Sequence, residues 1–152
     1  MERKPEWLRV RYNQKAVAEV AQLLGELRLN TVCKEANCPN LGECYRKHTA
    51  TFMILGSQCT RNCRFCSVTP GHPQPPDPEE PENVAAAAKK LGLRHVVLTC
   101  PTRDDLPDGG AEQFAQTVRA IRRACPGATV ETLISDMQMN TAALDAVIEA
   151  RP

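Results

Sequence analysis

Apolar residues first recur at helical spacing along residues 14–29, where Val17, Val20, Leu24 and Leu27 fall on one face. Asn30 suits the end of that helix. Beyond residue 50 the pattern changes. Thr51-Phe52-Met53-Ile54-Leu55-Gly56 is a short apolar run, the mark of a buried strand. His95-Val96-Val97-Leu98-Thr99-Cys100 is a second, and residues 128–134 form a third. Helical spacing returns between them. Val84, Ala87, Ala88 and Leu91 precede Gly92; Phe114, Val118, Ile121 and Cys125 precede Pro126-Gly127. A last helix carries Leu144, Val147 and Ile148, with Asn140 or Thr141 as its cap.

Strand and helix thus alternate three times, which predicts an α/β fold with a parallel sheet and right-handed crossovers. Three βα units cannot close a barrel. They also leave apolar sheet edges unpaired. The chain reads as the first part of something larger, unstable or inactive by itself. Residues 1–12 read as an extended arm. Residues 69–81, rich in proline from Pro70 to Pro81, read as an extended surface loop. The expected division is an N-terminal extension over residues 1–50 and the βα portion over residues 51–152.

Composition narrows the class. The 152 residues carry a formal net charge of +1, which gives no reason to expect nucleic acid or an anionic membrane as partner. No stretch approaches the roughly 20 apolar residues of a membrane span. The charged start, Met1-Glu2-Arg3-Lys4-Pro5-Glu6-Trp7, has no apolar run behind it and does not read as a secretory signal. Cytoplasmic residence is therefore the default expectation. There, clustered cysteines read as metal ligands rather than disulfides. Six of the eight cysteines fall between Cys33 and Cys66.

The chemistry concentrates in Cys59-Thr60-Arg61-Asn62-Cys63-Arg64-Phe65-Cys66. Three thiolates spaced Cys-x3-Cys-x2-Cys can hold three corners of a four-iron cluster and leave the fourth iron open to a ligand. The plainer alternative is a zinc knuckle that borrows His72; zinc sites favour Cys-x2-Cys pairs, and the first gap here is longer. A second trio, Cys33-x4-Cys38-x5-Cys44, lies in a turn-rich segment and implies a second centre. Its alternative is a thiol pair plus a stray buried cysteine.

In parallel βα folds ligands bind at the carboxyl ends of the strands. The Cys59 loop, the Arg103-Asp104-Asp105 loop and Ser135-Asp136 all follow strands and should converge. Phe65 either covers a cluster or flat ligand, or is a hydrophobic plug. Asp104 and Asp105 can accept hydrogen bonds from a cationic amine, or cap a loop or helix. Arg103 can simply pair with an acid. Glu131 sits mid-strand, so it faces a polar cavity or solvent. Cys100 reads as a small buried thiol and Cys125 as core. His48, His72 and His95 lack ligand spacing.

The Cys59-x3-Cys63-x2-Cys66 motif, with Phe65 before its last cysteine, resembles the signature of radical S-adenosylmethionine enzymes. The trio Cys33, Cys38 and Cys44 narrows the resemblance to the lipoyl synthase family, as do Lys4-Pro5-Glu6-Trp7-Leu8, Ala50-Thr51-Phe52-Met53-Ile54-Leu55-Gly56, Arg103-Asp104-Asp105-Leu106-Pro107-Asp108-Gly109-Gly110-Ala111 and Val130-Glu131-Thr132-Leu133-Ile134.

The resemblance implies the first three βα units of a partial TIM-like barrel of the radical SAM type, behind a helical and loop extension. It implies two [4Fe–4S] clusters and S-adenosylmethionine. Cys59, Cys63 and Cys66 would bind the cluster that reductively cleaves S-adenosylmethionine, with Phe65, Asp104 and Asp105 near that cofactor. Cys33, Cys38 and Cys44 would bind an auxiliary cluster that donates sulfur. The implied partners are an octanoylated carrier, such as glycine cleavage H protein or the lipoyl domain of a 2-oxoacid dehydrogenase, and a reductant protein. Family members are roughly twice this length. Cys100-Pro101-Thr102 stands where they usually carry Ser-Val-Asp, Ser135-Asp136-Met137 where they carry Pro-Asp-Phe, and Tyr45 replaces a usual Trp. Two other readings remain at this level: a different radical enzyme with an auxiliary cluster, and an iron–sulfur or zinc-binding module without enzymatic activity.

Overall fold

A computed structural model describes residues 14–35 and 49–152, with residues 5, 38, 40, 43 and 44. Apart from Pro5, the arm expected over residues 1–12 lies outside the described residues, as do His48 and Tyr45. The elements run α1 (Gln14–Glu26), β1 (Asn30–Thr31), α2 (Val32–Glu35), β2 (Thr49–Met53), β3 (Gln58–Cys59), β4 (Thr69–Pro70), α3 (Glu80–Lys90), β5 (His95–Thr99), α4 (Ala111–Ala124), β6 (Thr129–Leu133) and α5 (Thr141–Glu149). A short 3₁₀ turn, Met137–Met139, precedes α5.

The main sheet has the order β1-β2-β5-β6. Strands β2, β5 and β6 are parallel, as their separation by helices requires. The three buried runs form these strands, with ends one to three residues from the bounds read in the sequence: β2 starts two residues earlier and stops three earlier, and β5 and β6 differ by one. Asn30 does not end α1. The helix stops at Glu26, the chain turns through Arg28 at φ 54°, and Asn30 joins β1 antiparallel to β2. One expected bare edge is therefore covered. The other, β6, stays the unpaired end of the sheet among the described residues, with Thr129, Glu131 and Leu133 exposed and Val130 buried.

Local chemistry explains the helices. Helix α3 starts four residues before Val84, because Pro81 fits a first turn whose N–H groups have no partner. Glu80 and Glu82 sit in its first turn and Lys89 and Lys90 in its last, matching the helix dipole. Asn140 caps α5, its Oδ1 accepting from the Ala143 amide at 3.2 Å.

The core lies on one face of the sheet, where Ala50, Phe52, Val96 and Leu98 meet Val84, Phe114, Val118 and Ile121. Each of these side chains except Ala50 contributes roughly 1.5–3 kcal/mol of burial. The opposite face is wetter. There His95 contacts Thr129 Oγ1 at 2.7 Å and Glu131 Oε2 at 3.2 Å. Glu131 thus lies at an exposed position rather than unpaired in a core. Because Met53, Thr99 and Leu133 lie side by side in register, the loops after β2, β5 and β6 leave from one edge.

Candidate metal centre

The cysteine loop begins with a strained turn. Leu55 at φ 67° and Gly56 at φ 90° are both left-handed, a conformation that costs a non-glycine residue about 1–2 kcal/mol. Side chains from the core hold it there. The Leu55 N–H donates to both carboxylate oxygens of Glu80, at 3.1 and 3.0 Å. Its carbonyl accepts from Arg103 Nη1 at 2.9 Å. Arg103 is only 1% exposed and also donates to the Gln74 carbonyl and to both oxygens of Asp105. Burial pushes the Glu80 carboxyl above its usual range, opposed by bonds from Leu55 and Gln113 and by the Arg103 charge.

Beyond that turn, β3 carries Cys59 and pairs with β4, so the proline-rich segment opens as a strand before running on as exposed loop. Thr60 then ties the chain across to the loop after β5. Its N–H and its hydroxyl both donate to the Thr102 carbonyl at 3.0 Å, and it accepts from the Asp104 amide at 3.1 Å. Arg61 spans two acids. Nε and Nη2 donate to Asp104 at 2.7 and 2.8 Å, while Nη1 and Nη2 donate to Asp136 at 2.8 and 2.9 Å. The guanidinium holds both carboxyls below their ordinary range, and Arg103 does the same to Asp105.

The three thiols of this loop differ in exposure. Cys59 is buried, Cys63 and Cys66 are exposed, and all are free. The Arg61 amide lies 3.4 Å from Cys59 Sγ, a donor aimed at sulfur. Phe65 is 92% exposed, so it plugs nothing among the described residues. Among those residues no three His, Cys, Asp or Glu side chains surround a point where a single metal ion would sit. A four-iron cluster asks for a different arrangement, with each thiolate on its own iron. Three free thiols on one loop, with an amide donor to the innermost sulfur, fit such a group.

The second trio is close-set. Burial raises the Cys33 thiol, a bond from the Thr51 backbone opposes this, and the charges of Cys38 and Cys44 add to the rise. The Cys38 amide donates to the Cys33 carbonyl at 3.0 Å.

Asp104 and Asp105 are already engaged by arginines, so each presents an occupied carboxylate to any amine. Cys100 is pushed up to about 12, chiefly by burial, and the Cys59 charge reaches it. Cys125 caps α4 and is partly buried against the core. Sequence reading missed Arg61 and Asp136 as a pair. The one available signal was that both positions follow strands of a parallel sheet.

The Radical SAM superfamily model matches residues 53–151. Curated relatives match nearly the whole chain. A lipoyl synthase of Caldanaerobacter subterraneus subsp. tengcongensis is 57% identical over 99% of this chain and 52% of its own length. One from Geobacter metallireducens is 57% identical over 99% of this chain and 53% of its own. One from Oleidesulfovibrio alaskensis is 53% identical over 97% and 51%. The chain spans about half the length of the curated relatives it matches.

Proposed function

This chain belongs to the radical SAM superfamily, and on that premise we propose that it serves the reaction of a lipoyl synthase, the insertion of two sulfur atoms into a protein-bound octanoyl-lysine to give lipoyl-lysine. The observation that carries this reading is the pair of free thiol trios, Cys59, Cys63 and Cys66 together with Cys33, Cys38 and Cys44, in a chain 57% identical to a lipoyl synthase over 99% of its length.

In this reading Cys59, Cys63 and Cys66 bind one [4Fe–4S] cluster and Cys33, Cys38 and Cys44 an auxiliary one. When bound, the first supplies an electron that cleaves S-adenosylmethionine, and the auxiliary one supplies sulfur. Residues 51–152 form the βα portion that carries the first trio, and residues 1–50 the extension that carries the second. The chain's own residues set the stage. Glu80 and Arg103 fix the turn at Leu55. Thr60 and Arg61 pin the loop over the ends of β5 and β6. Cys63 and Cys66 stay outward and reachable. Exposed Phe65 offers an apolar surface beside them for a flat ligand. Asp104 lies within reach of the same loop, and Asp105 one residue on braces Arg103. The partners are an octanoylated carrier domain, of the glycine cleavage H protein or 2-oxoacid dehydrogenase kind, and a reductant protein. The compartment is the cytoplasm. No helix among the described residues is long and apolar enough to cross a membrane.

The test uses the protein carrying this chain, loaded anaerobically with iron and sulfide, given S-adenosylmethionine, a reductant and an octanoylated carrier domain. Mass spectrometry of the carrier should show a lipoyl product. Iron and sulfide loading without any sulfur insertion would overturn the assignment, and zinc without sulfide would reject both clusters.

A further inference from the structure

We propose that Arg61 is a positioning residue for the cysteine loop, fixing it over the ends of β5 and β6 and setting the charge beside its thiols. The proposal rests on the reading of Cys59, Cys63 and Cys66 as cluster ligands.

The three-residue gap between Cys59 and Cys63 needs a physical use, since it is longer than the gap that follows. Thr60 and Arg61 fill it with contacts that no local turn requires. Arg61 reaches Asp104, 43 residues on, and Asp136, 75 residues on, with four donated hydrogen bonds. One side chain thereby joins the loops after β2, β5 and β6.

An exposed ion pair usually contributes little. This one departs from that rule in two ways. Both carboxylates are met by a forked guanidinium, which fixes direction as well as distance. Both are also held by other groups. Asp104 sits against Thr60, and Asp136 Oδ1 accepts from the Gln138 amide at 3.2 Å. The Gln138 side chain donates to the Asp104 carbonyl at 3.2 Å, and the Asn140 side chain lies 3.4 Å from the Pro107 carbonyl. The turn bearing Asp136 runs through Met137, Gln138 and Met139 at φ 44°, 53° and 59°, three left-handed residues in a row. Strain of this kind persists only where the surroundings impose it. The two acids are thus set in place, their charges oppose one another, and the cysteine loop carries the cation between them.

Two consequences follow. Without the guanidinium the loop keeps only the Thr60 bonds to the loop after β5, loses its tie to Asp136 after β6, and leaves the Asp104 and Asp136 carboxylates without their cation. The sign of the charge change matters, because reduction potentials of iron–sulfur centres follow net charge. Replacing Arg61 makes the surroundings more negative and should lower the potential. Neutralising Asp104 makes them less negative and should raise it. Both changes loosen the loop, so a purely structural role would not move the potential in opposite directions.

The experiment compares R61K, R61Q and D104N with the parent, each made in the protein carrying this chain. Hydrogen exchange of peptides spanning residues 59–66 is read first, without metal. We expect about tenfold faster exchange in R61Q, with R61K between it and the parent. The chains are then reconstituted with iron and sulfide, with C63A as the blank that identifies the signal of this loop, and titrated by EPR. R61Q should shift to a lower potential than the parent and D104N to a higher one. Unchanged exchange in R61Q, in a chain that melts as the parent does, overturns the proposal. So does a shift of both potentials in the same direction. Failure of the functional reading looks different, since a parent that takes up no iron and sulfide rejects the cluster while the exchange result still judges Arg61.

Discussion

A Cβ placed on Gly110 would lie 2.2 Å from Cδ1 of Leu55. Gly110 also sits at φ 91°, immediately before α4. The loop after β5 therefore closes against the residue that launches the cysteine loop, and only glycine permits it. Gly110→Ala should destabilise the chain by about 2–5 kcal/mol, the sum of a left-handed penalty and overpacking. Gly127→Ala is the control, because a Cβ there meets nothing within 4 Å. Thermal melts of the two variants should separate clearly; equal melting temperatures would disprove the constraint.

Arg103 presents the reverse case, a large polar side chain in the interior. Arg103→Met strands the Leu55 and Gln74 carbonyls and leaves Asp105 without its partner. The expected loss is about 1–3 kcal/mol, mainly from the buried Leu55 carbonyl left unpaired, because Asp105 is 37% exposed and water can replace its partner. Arg103→Lys keeps the charge but lacks the planar fork, and should fall between. Urea unfolding measures both, and a Met variant as stable as the parent would show that the buried bonds contribute nothing net.

The acids predict opposing pH trends. Asp104, Asp105 and Asp136 have folded values lowered from 3.8, so the stability they contribute is present above 3.8 and fades as pH falls through their lower folded values. Glu80 has a folded value raised from 4.5, so its contribution is complete below 4.5 and declines as pH rises through the folded value. Arg61→Gln should flatten the acid-side loss, and Glu80→Gln should flatten the decline above 4.5. Urea midpoints across pH read both slopes; an E80Q variant with the parent's slope would remove Glu80 from the account.

Thiol labelling separates the cysteines. In the metal-free chain Cys63 and Cys66 should be alkylated quickly near neutral pH, being exposed. Cys100, held as a thiol by a value of about 12, should resist. Loading with iron and sulfide should then protect Cys63 and Cys66 and leave Cys100 unchanged. Peptide mass spectrometry reads each site. Rapid labelling of Cys100, or no protection of Cys63, would contradict the site.

The parallel strands were legible because long apolar runs between helical patterns admit few other folds. The cysteine trios stand out in the sequence by their spacing, while their role as ligands rests on the proposed function. What pairs with what was not. Asp104 and Asp105 adjoin Arg103 in sequence, yet only Asp105 meets it, while Asp104 turns to Arg61. Alternate residues of a loop face different ways, and the choice depends on where a distant chain arrives. Asn30 illustrates a second limit. It looks like a helix end, but pairing with Met53 draws it into the sheet. The left-handed run at Met137–Met139 gave no signal at all, since none of its residues is glycine, asparagine or aspartate.

One residue's backbone joins the interior to the exposed thiols. The Leu55 amide and carbonyl are gripped by Glu80 and Arg103, which are 7% and 1% exposed. The direction in which the cysteine loop leaves the sheet is consequently decided beneath the surface, by packing between α3, the loop after β5 and the end of β2. A substitution far from any sulfur, if it moves either charged side chain, re-aims all three thiols together. Fold and thiol placement are inherited here as one trait, and selection on thermal tolerance in this core is also selection on where Cys59, Cys63 and Cys66 point.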